Sequence, residues 1–197
     1  RIESLALNNM TLQNLPQSIG NLTNLQILHL DNNNLSSLPV SIGNLKNLKE
    51  LALDENKIST LPASIGNLNN LQGFSMDNNQ LQTLPESFGA LTNLKELYLN
   101  YNQIKLLPES FGQLDNLEVL LIYYNQLTTL PESIGDLPNL QVLYSSNNQI
   151  TTIPSSISKL HSLNKLWINS NQLTSLPNSL CELPNECDIK VSYNCLS

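Results

Sequence analysis

Histidine is almost missing from this chain. Its 197 residues hold two, His29 and His161. Neither can be joined to a serine, cysteine and aspartate as a nucleophile–base set, because the spacing sends His161 to a different side of the repeat from the candidate partners. Glycine is sparse too: seven residues, each standing alone. A phosphate-cradling loop needs several close together, so none is present. Basic residues number nine against sixteen acidic ones, a net charge of −7. That balance argues against nucleic acid and against anionic lipid surfaces as partners. No apolar run is long enough to span a membrane, so no membrane insertion is expected.

Cysteine is confined to one end. Cys181, Cys187 and Cys195 all fall in the last 17 residues. This distribution suits a cap closing an open core edge. One disulfide and one free thiol in an oxidising compartment are expected, with three buried, unbonded thiols as the alternative. The spacing matches no common zinc site. No metal and no cofactor are expected elsewhere. Neighbouring carboxylates such as Asp54 and Glu55 lack the enclosed surroundings that tune an acid–base pair, so the chain reads as non-enzymatic.

What is abundant is order. Pro16, Pro39, Pro62, Pro85, Pro108, Pro131, Pro154 and Pro177 keep a step of 23 residues without a slip, and Asn33, Asn56, Asn79, Asn102, Asn125, Asn148, Asn171 and Asn194 keep the same step. A fixed period in this range marks a solenoid. Each unit carries an L-x-L alternation, the pattern of a half-buried strand. Nine such strands are predicted, Leu5–Leu7, Leu28–Leu30 and onward at 23-residue steps to Ile189–Val191. Each returns to its start through 20 residues, so neighbours must run parallel. The return leg, opened by proline, suits a short 3-10 or α segment.

Seven sites per unit should point inward. In the second unit these are Leu25, Leu28, Leu30, Leu35, Leu38, Ile42 and Leu45, and along the chain only Ser145 and Glu186 break the apolar rule. Burying a leucine side chain contributes roughly 1.5 to 3 kcal/mol, so a column of them can drive the fold. The asparagine column supplies donor and acceptor to each turn, a structural role. Met10 stands where the first such asparagine belongs, and Phe88 and Phe111 replace isoleucine at one core site in consecutive units.

The repeat L-x-x-L-x-L-x-x-N-x-L-x-x-L-P-x-S-I-G-x-L-x-N resembles the leucine-rich repeat in its 23-residue typical class, with likeness to secreted bacterial proteins of spirochaetes such as Leptospira. The resemblance implies an α/β fold: a right-handed horseshoe solenoid with a parallel sheet of about nine strands on its concave face and short 3-10 or α segments on its convex face. It also implies a module that binds other proteins on the concave face. One domain is expected over 1–197, with 1–22 an N-terminal or truncated repeat, 23–177 regular repeats and 178–197 the cysteine-containing cap. Arg1 and Ile2 fall in mid-repeat with no leader before them, so a piece of a longer precursor is expected.

Function should be written on the sites that packing leaves free, Ile27, His29, Asp31 and Asn32 and their equivalents. Down the chain they form two zones. The first is acidic, with Asp31, Glu50, Asp54, Glu55, Asp77 and Glu96, and suits a basic region of a partner or a solvated face, ahead of a weak Ca²⁺ site, because carboxylates on a flat sheet do not wrap the ligands that ion wants. The second is aromatic, with Tyr98, Tyr101, Tyr123, Tyr124, Tyr144 and Trp167, and Leu121 between them. All six tyrosines and the single tryptophan fall on these sites. Such clusters have the composition of binding hot spots, or else pack on one another to stiffen the sheet. The expected reading is a secreted or cell-surface module, monomeric, taking a host or extracellular protein on its concave face. Glycan binding and a self-associating structural solenoid are the alternatives.

Overall fold

The computed structural model describes residues 2–196. Nine strands form one parallel sheet in chain order: β1 Ser4–Ala6, β2 Ile27–His29, β3 Glu50–Ala52, β4 Gly73–Ser75, β5 Glu96–Tyr98, β6 Val119–Leu121, β7 Val142–Tyr144, β8 Lys165–Trp167 and β9 Asp188–Lys190. The register is one whole repeat throughout, with Leu28 beside Leu51 and Leu97 beside Leu120. The 20-residue return makes any other pairing direction impossible.

The strands sit one residue earlier than the apolar pattern predicts. The paired segment is centred on Leu28, with Ile27 and His29 turned outward on either side. Leu30 lies just past the strand and is also wholly buried, while its N–H still donates to the Ala52 carbonyl at 2.9 Å. The alternation L-x-L therefore marks one strand residue and one turn residue.

Each return leg is a five-residue 3-10 helix, such as Val40–Asn44 or Glu86–Ala90. Proline stands just before it in extended conformation, φ −68° and ψ 149° at Pro39, and its carbonyl accepts the Ile42 N–H at 3.0 Å. Proline has no N–H to leave unsatisfied at this point, and its fixed φ stops the strand-side chain. The helices stack on one another along the convex wall as the strands do along the concave one.

All seven predicted inner columns of the second unit are buried, six of these side chains completely. Phe74, Phe88 and Phe111 lie inside, with Phe88 and Phe111 stacked at 6.5 Å and 2°. Ser145 is fully buried among leucine and isoleucine, and its hydroxyl finds no partner. Glu186 departs from its column and is exposed. The chain leaves the last 3-10 helix through Leu183 in extended conformation, ψ 158° where Leu45 has 60°, and Cys187 packs against the core instead.

The expected disulfide does not form. Cys181, Cys187 and Cys195 are all free thiols. They lie on three parts of the last unit: in a 3-10 helix, just before β9, and just past the bend that follows it.

The asparagine column is hydrogen-bonded in both directions. The Asn56 side-chain oxygen accepts the Leu35 N–H of the preceding unit at 2.9 Å. Its amide N–H₂ donates to the carbonyls of Leu30, one unit back, and of Leu53 and Asp54 in its own unit. Each asparagine thus serves the unit before it. That is why Met10 is tolerated: the Asn33 oxygen accepts the N–H groups of Met10 and Leu12 at 3.1 and 2.9 Å.

Candidate functional site

The sheet presents two outward columns, those of Ile27 and His29. Beyond its end follow the columns of Asp31 and Asn32. The sequence treats all four as equally free, and the structure does not.

The aspartate column is a second ladder. Asn8 Oδ1 accepts the Asp31 N–H at 3.0 Å, Asp31 Oδ1 that of Asp54 at 3.0 Å, Asp54 Oδ1 that of Asp77 at 2.7 Å, and Asp77 Oδ1 that of Asn100 at 2.7 Å. Asn100 Oδ1 then accepts the Tyr123 N–H at 3.1 Å, and the run ends there because tyrosine offers no short acceptor. Asp31, Asp54 and Asp77 are therefore half-buried, each with one oxygen committed to backbone. The signal in the sequence was the shared side-chain length and oxygen of Asn8, Asp31, Asp54, Asp77 and Asn100.

Burial pushes the carboxyls of Asp54 and Asp77 up from the ordinary 3.8. Hydrogen bonds from Ser75 and from the Asp77 N–H oppose this at Asp54, while the charges of Asp31 and Glu55 add to it. At Asp77, Asn100 opposes and Asp54 adds. A carboxyl whose folded value is raised makes the folded state bind protons more tightly than the unfolded one. Its charged form destabilises the fold at neutral pH, and the penalty fades as pH falls. Asp54→Asn keeps an oxygen for the Asp77 N–H and removes the charge. Its melting temperature should exceed wild type near neutral pH, and the difference should close below about pH 4. Melting curves across that range check this; an equal gap at every pH contradicts it.

Two residues of the acidic zone, Glu50 and Glu96, stand on the strands themselves. Glu50 bonds His29 Nε2 at 2.8 Å, and Glu96 accepts the Tyr98 hydroxyl at 2.7 Å. Tyr98 thereby joins the acidic zone, and burial together with Glu96 raises its phenol to about 12. Glu55 sits apart, exposed, in the bend beyond β3.

The aromatic zone divides into two clusters. Tyr101 and Tyr124 lie in the bends beyond β5 and β6, at the rim of the concave face, stacked at 4.7 Å, with Tyr123 edge-on to both. They are 46% and 48% exposed. Both take left-handed backbone, φ 55° and 53°, as does every residue of this column from Asn9 to Tyr193. Asparagine suits that conformation, whereas a bulky ring there is a genuine outlier. Tyr193, in the same column, stands alone and 84% exposed.

The second cluster is a stack standing on the sheet. Tyr144 and Trp167 are parallel at 4.1 Å and 2°, and Lys190 Nζ covers the other side of the indole at 3.6 Å. The indole N–H donates to Asp188 at 2.9 Å. Both faces of Trp167 are occupied, and only edges meet solvent. A groove of about 540 Å³ runs between the clusters, lined by Leu121, Tyr123, Tyr144, Asn147, Trp167 and Lys190 among others. Lys190 and Asn147 were not foreseen, because neither is aromatic or acidic. A second groove, about 620 Å³, lies over β2 to β5 beside Glu50, Gly73 and Glu96.

Among the described residues no group of three or more His, Cys, Asp or Glu side chains could hold a metal ion, and no helix is long and apolar enough to cross a membrane.

Comparison with known proteins agrees with this architecture. Residues 2–72 and 42–126 match the family model described as a leucine-rich repeat region, residues 105–150 the leucine rich repeat, and residues 138–184 its two-copy form. No curated protein sequence matches the chain. Among solved structures, it is similar to a leucine-rich repeat protein of Leptospira interrogans, at 34% identity and a TM-score of 0.68. That alignment covers 96% of this chain and 60% of that one, so the chain spans about three-fifths of the Leptospira protein's length. The leucine-rich repeat domain of the type III effector XopL is 28% identical, TM-score 0.78, with 96% and 76% of the two chains covered. The plant peptide hormone receptor RGFR1, solved in complex with RGF2, is 31% identical, TM-score 0.76, with 98% and 36% covered. With its period, its two ladders and its nine-stranded sheet, the chain belongs to the leucine-rich repeat family.

Proposed function

We propose that this chain is a non-enzymatic protein-interaction module that seats its partner on the concave face. The observation that carries the reading is the placement of its aromatic residues. Every tyrosine and the tryptophan stand on or at the rim of one face, and three of the tyrosines, Tyr101, Tyr124 and Tyr193, hold a backbone conformation that disfavours them. Strain of that kind persists where function asks for the side chain. Nine strands at about 4.8 Å give a face roughly 40 Å long. That is room for an interface of about 800 Å² on each partner.

Tyr101 and Tyr124 anchor the partner from the rim, and Tyr144, Trp167 and Leu121 meet it on the sheet. Tyr123 braces the rim pair. Glu96, Glu55, the free oxygens of Asp31 and Asp54, and the charge of Asp77, whose second oxygen accepts the Asn100 amide at 3.0 Å, steer a basic region of the partner toward the face. The covered faces of Trp167 weigh against glycan binding, which stacks a sugar on an open ring. The reading treats 1–197 as one solenoid domain closed by its C-terminal unit, working as a monomer. Its likeness to the Leptospira protein supports a secreted or cell-surface module with an extracellular partner, which is analogy of fold and repeat rather than of site.

The test is affinity capture from extracellular proteins, with wild type beside Tyr101→Ala/Tyr124→Ala/Trp167→Ala. Circular dichroism checks that both are folded. A prey lost only by the folded variant is the expected result. The same preys on both proteins would take binding off the aromatic zone, to the acidic zone of the same face or to the convex wall.

A further inference from the structure

Six of the seven glycines share one reason for being glycine. A Cβ at Gly20 or Gly112 would lie 2.5 or 2.6 Å from a serine carbonyl oxygen of the next unit, and Gly43, Gly66, Gly89 and Gly135 are at least as crowded. Gly73 has no such reason. A Cβ there would meet only Glu50 Cγ, at 4.0 Å, an ordinary contact. The other members of its column are Ser4, Ile27, Glu50, Glu96, Val119, Val142, Lys165 and Asp188, all with side chains. Glycine inside a strand costs backbone entropy and packs nothing, so a strand glycine without crowding marks a place where something comes close.

What Gly73 creates is a dip in the concave face. Ala52 and Ser75 keep its floor low on the adjoining column, and the groove of about 620 Å³ opens over it. Glu50 and Glu96 stand on the strands either side, two spacings or about 9.6 Å apart. Each has one carboxylate oxygen bonded to a neighbour, His29 on β2 for Glu50 and Tyr98 on its own strand for Glu96, and a second oxygen left for a ligand. Over β2 to β5 and the bends that follow, the concave columns carry six carboxylates, Asp31, Glu50, Asp54, Glu55, Asp77 and Glu96, against Lys49 and Lys95. Lys95 is drawn aside by Glu118 at 3.4 Å. The aspartates beside the dip repel one another, so a positive charge placed here is favoured.

We propose that the dip over Gly73 is the docking pocket for one basic side chain of the protein partner, clasped between Glu50 and Glu96. Arginine fits better than lysine, because a planar guanidinium presents donors to both sides at once. The inference rests on the concave face being the protein-binding face. It adds a specificity position that the aromatic anchors do not supply.

The probe is N-acetylarginine amide, titrated into the labelled protein while amide resonances are followed by NMR. The Gly73 and Phe74 amides should shift saturably within about 50 mM. The neutral isostere N-acetylcitrulline amide should bind at least about tenfold more weakly, given the lost charge-assisted bonds. Gly73→Val fills the dip with a side chain that β6 and β7 already carry in this column, so it should fold as wild type and lose the response. Glu50→Gln/Glu96→Gln keeps the shape and should weaken binding by at least about tenfold. Equal response to both probes, a preference for N-acetylglutamate amide, no saturation, or undiminished binding by folded Gly73→Val overturns the proposal. Tyr101, Tyr124 and Trp167 do not line the dip. A triple variant that keeps its preys would therefore sink the aromatic reading without touching this one.

Discussion

Asn102→Ala should lower the unfolding free energy by about 2 kcal/mol, a loss shared by the other buried members of its ladder and large for a polar side chain. Asn102 is buried, and its oxygen accepts the Leu81 N–H at 2.9 Å. Its amide donates to Met76 at 2.8 Å and to Leu99 and Asn100 at 3.2 Å. Alanine leaves the Leu81 N–H inside the fold without a partner, at about 1 to 3 kcal/mol, and leaves the Met76 carbonyl with only the Asn79 amide at 3.4 Å. Backbone shifts recover part of this. The loss should also be local to two units, because each asparagine ties its own turn to the one before. Hydrogen exchange should therefore speed up first at Leu81 and Gln103 and least at β1 and β9. Chemical denaturation measures the total, and a change under about 1 kcal/mol would mean the ladder is ornamental.

Tyr101→Asn/Tyr124→Asn should do the reverse, sparing stability and removing binding. Both sites take left-handed backbone, and Asn9, Asn32, Asn78 and Asn147 already occupy the same column. Relief of that conformation is worth about 1 kcal/mol or more per residue. The ring stack at 4.7 Å is worth about 0.5 to 1.5 kcal/mol beyond its burial. The two nearly cancel, so the midpoint should stay within about 1 kcal/mol of wild type. Hot-spot aromatics cost at least about 2 kcal/mol each on removal, so partner affinity should fall by at least about 100-fold. Calorimetric melting and a binding titration on the same samples separate the two effects. A variant that loses stability and keeps affinity would show that these rings serve the fold.

The inward columns could be read from the chain alone because a leucine at a 23-residue step has one place to go. Strand centres were displaced by one residue, since L-x-L does not say which leucine pairs and which begins the turn. The Asp31 column was legible as acidic, but its role as a backbone ladder was not, for a different reason. A short acid that holds the next unit's N–H and a short acid in water look alike in sequence. Ring orientation was also beyond reach: the column of Tyr144 and Trp167 was legible, but not that their faces cover each other. Clustered cysteines suggested a disulfide, and their stations on the last unit became visible only in three dimensions. Gly73 was in plain view as the one glycine outside the L-P-x-S-I-G motif, yet its meaning depends on the space above it.

The most direct measurement is hydroxyl-radical footprinting of the chain with and without its captured partner, read out by mass spectrometry. Tyrosine and tryptophan are themselves the reporters, and the exposed side chains Met10, Val40 and Leu106 lie off the sheet as controls. Protection of Tyr101, Tyr124, Tyr144 and Trp167, with the controls unchanged, is the predicted result. Unchanged aromatic oxidation, with protection at Val40 and its convex neighbours, would contradict concave-face binding.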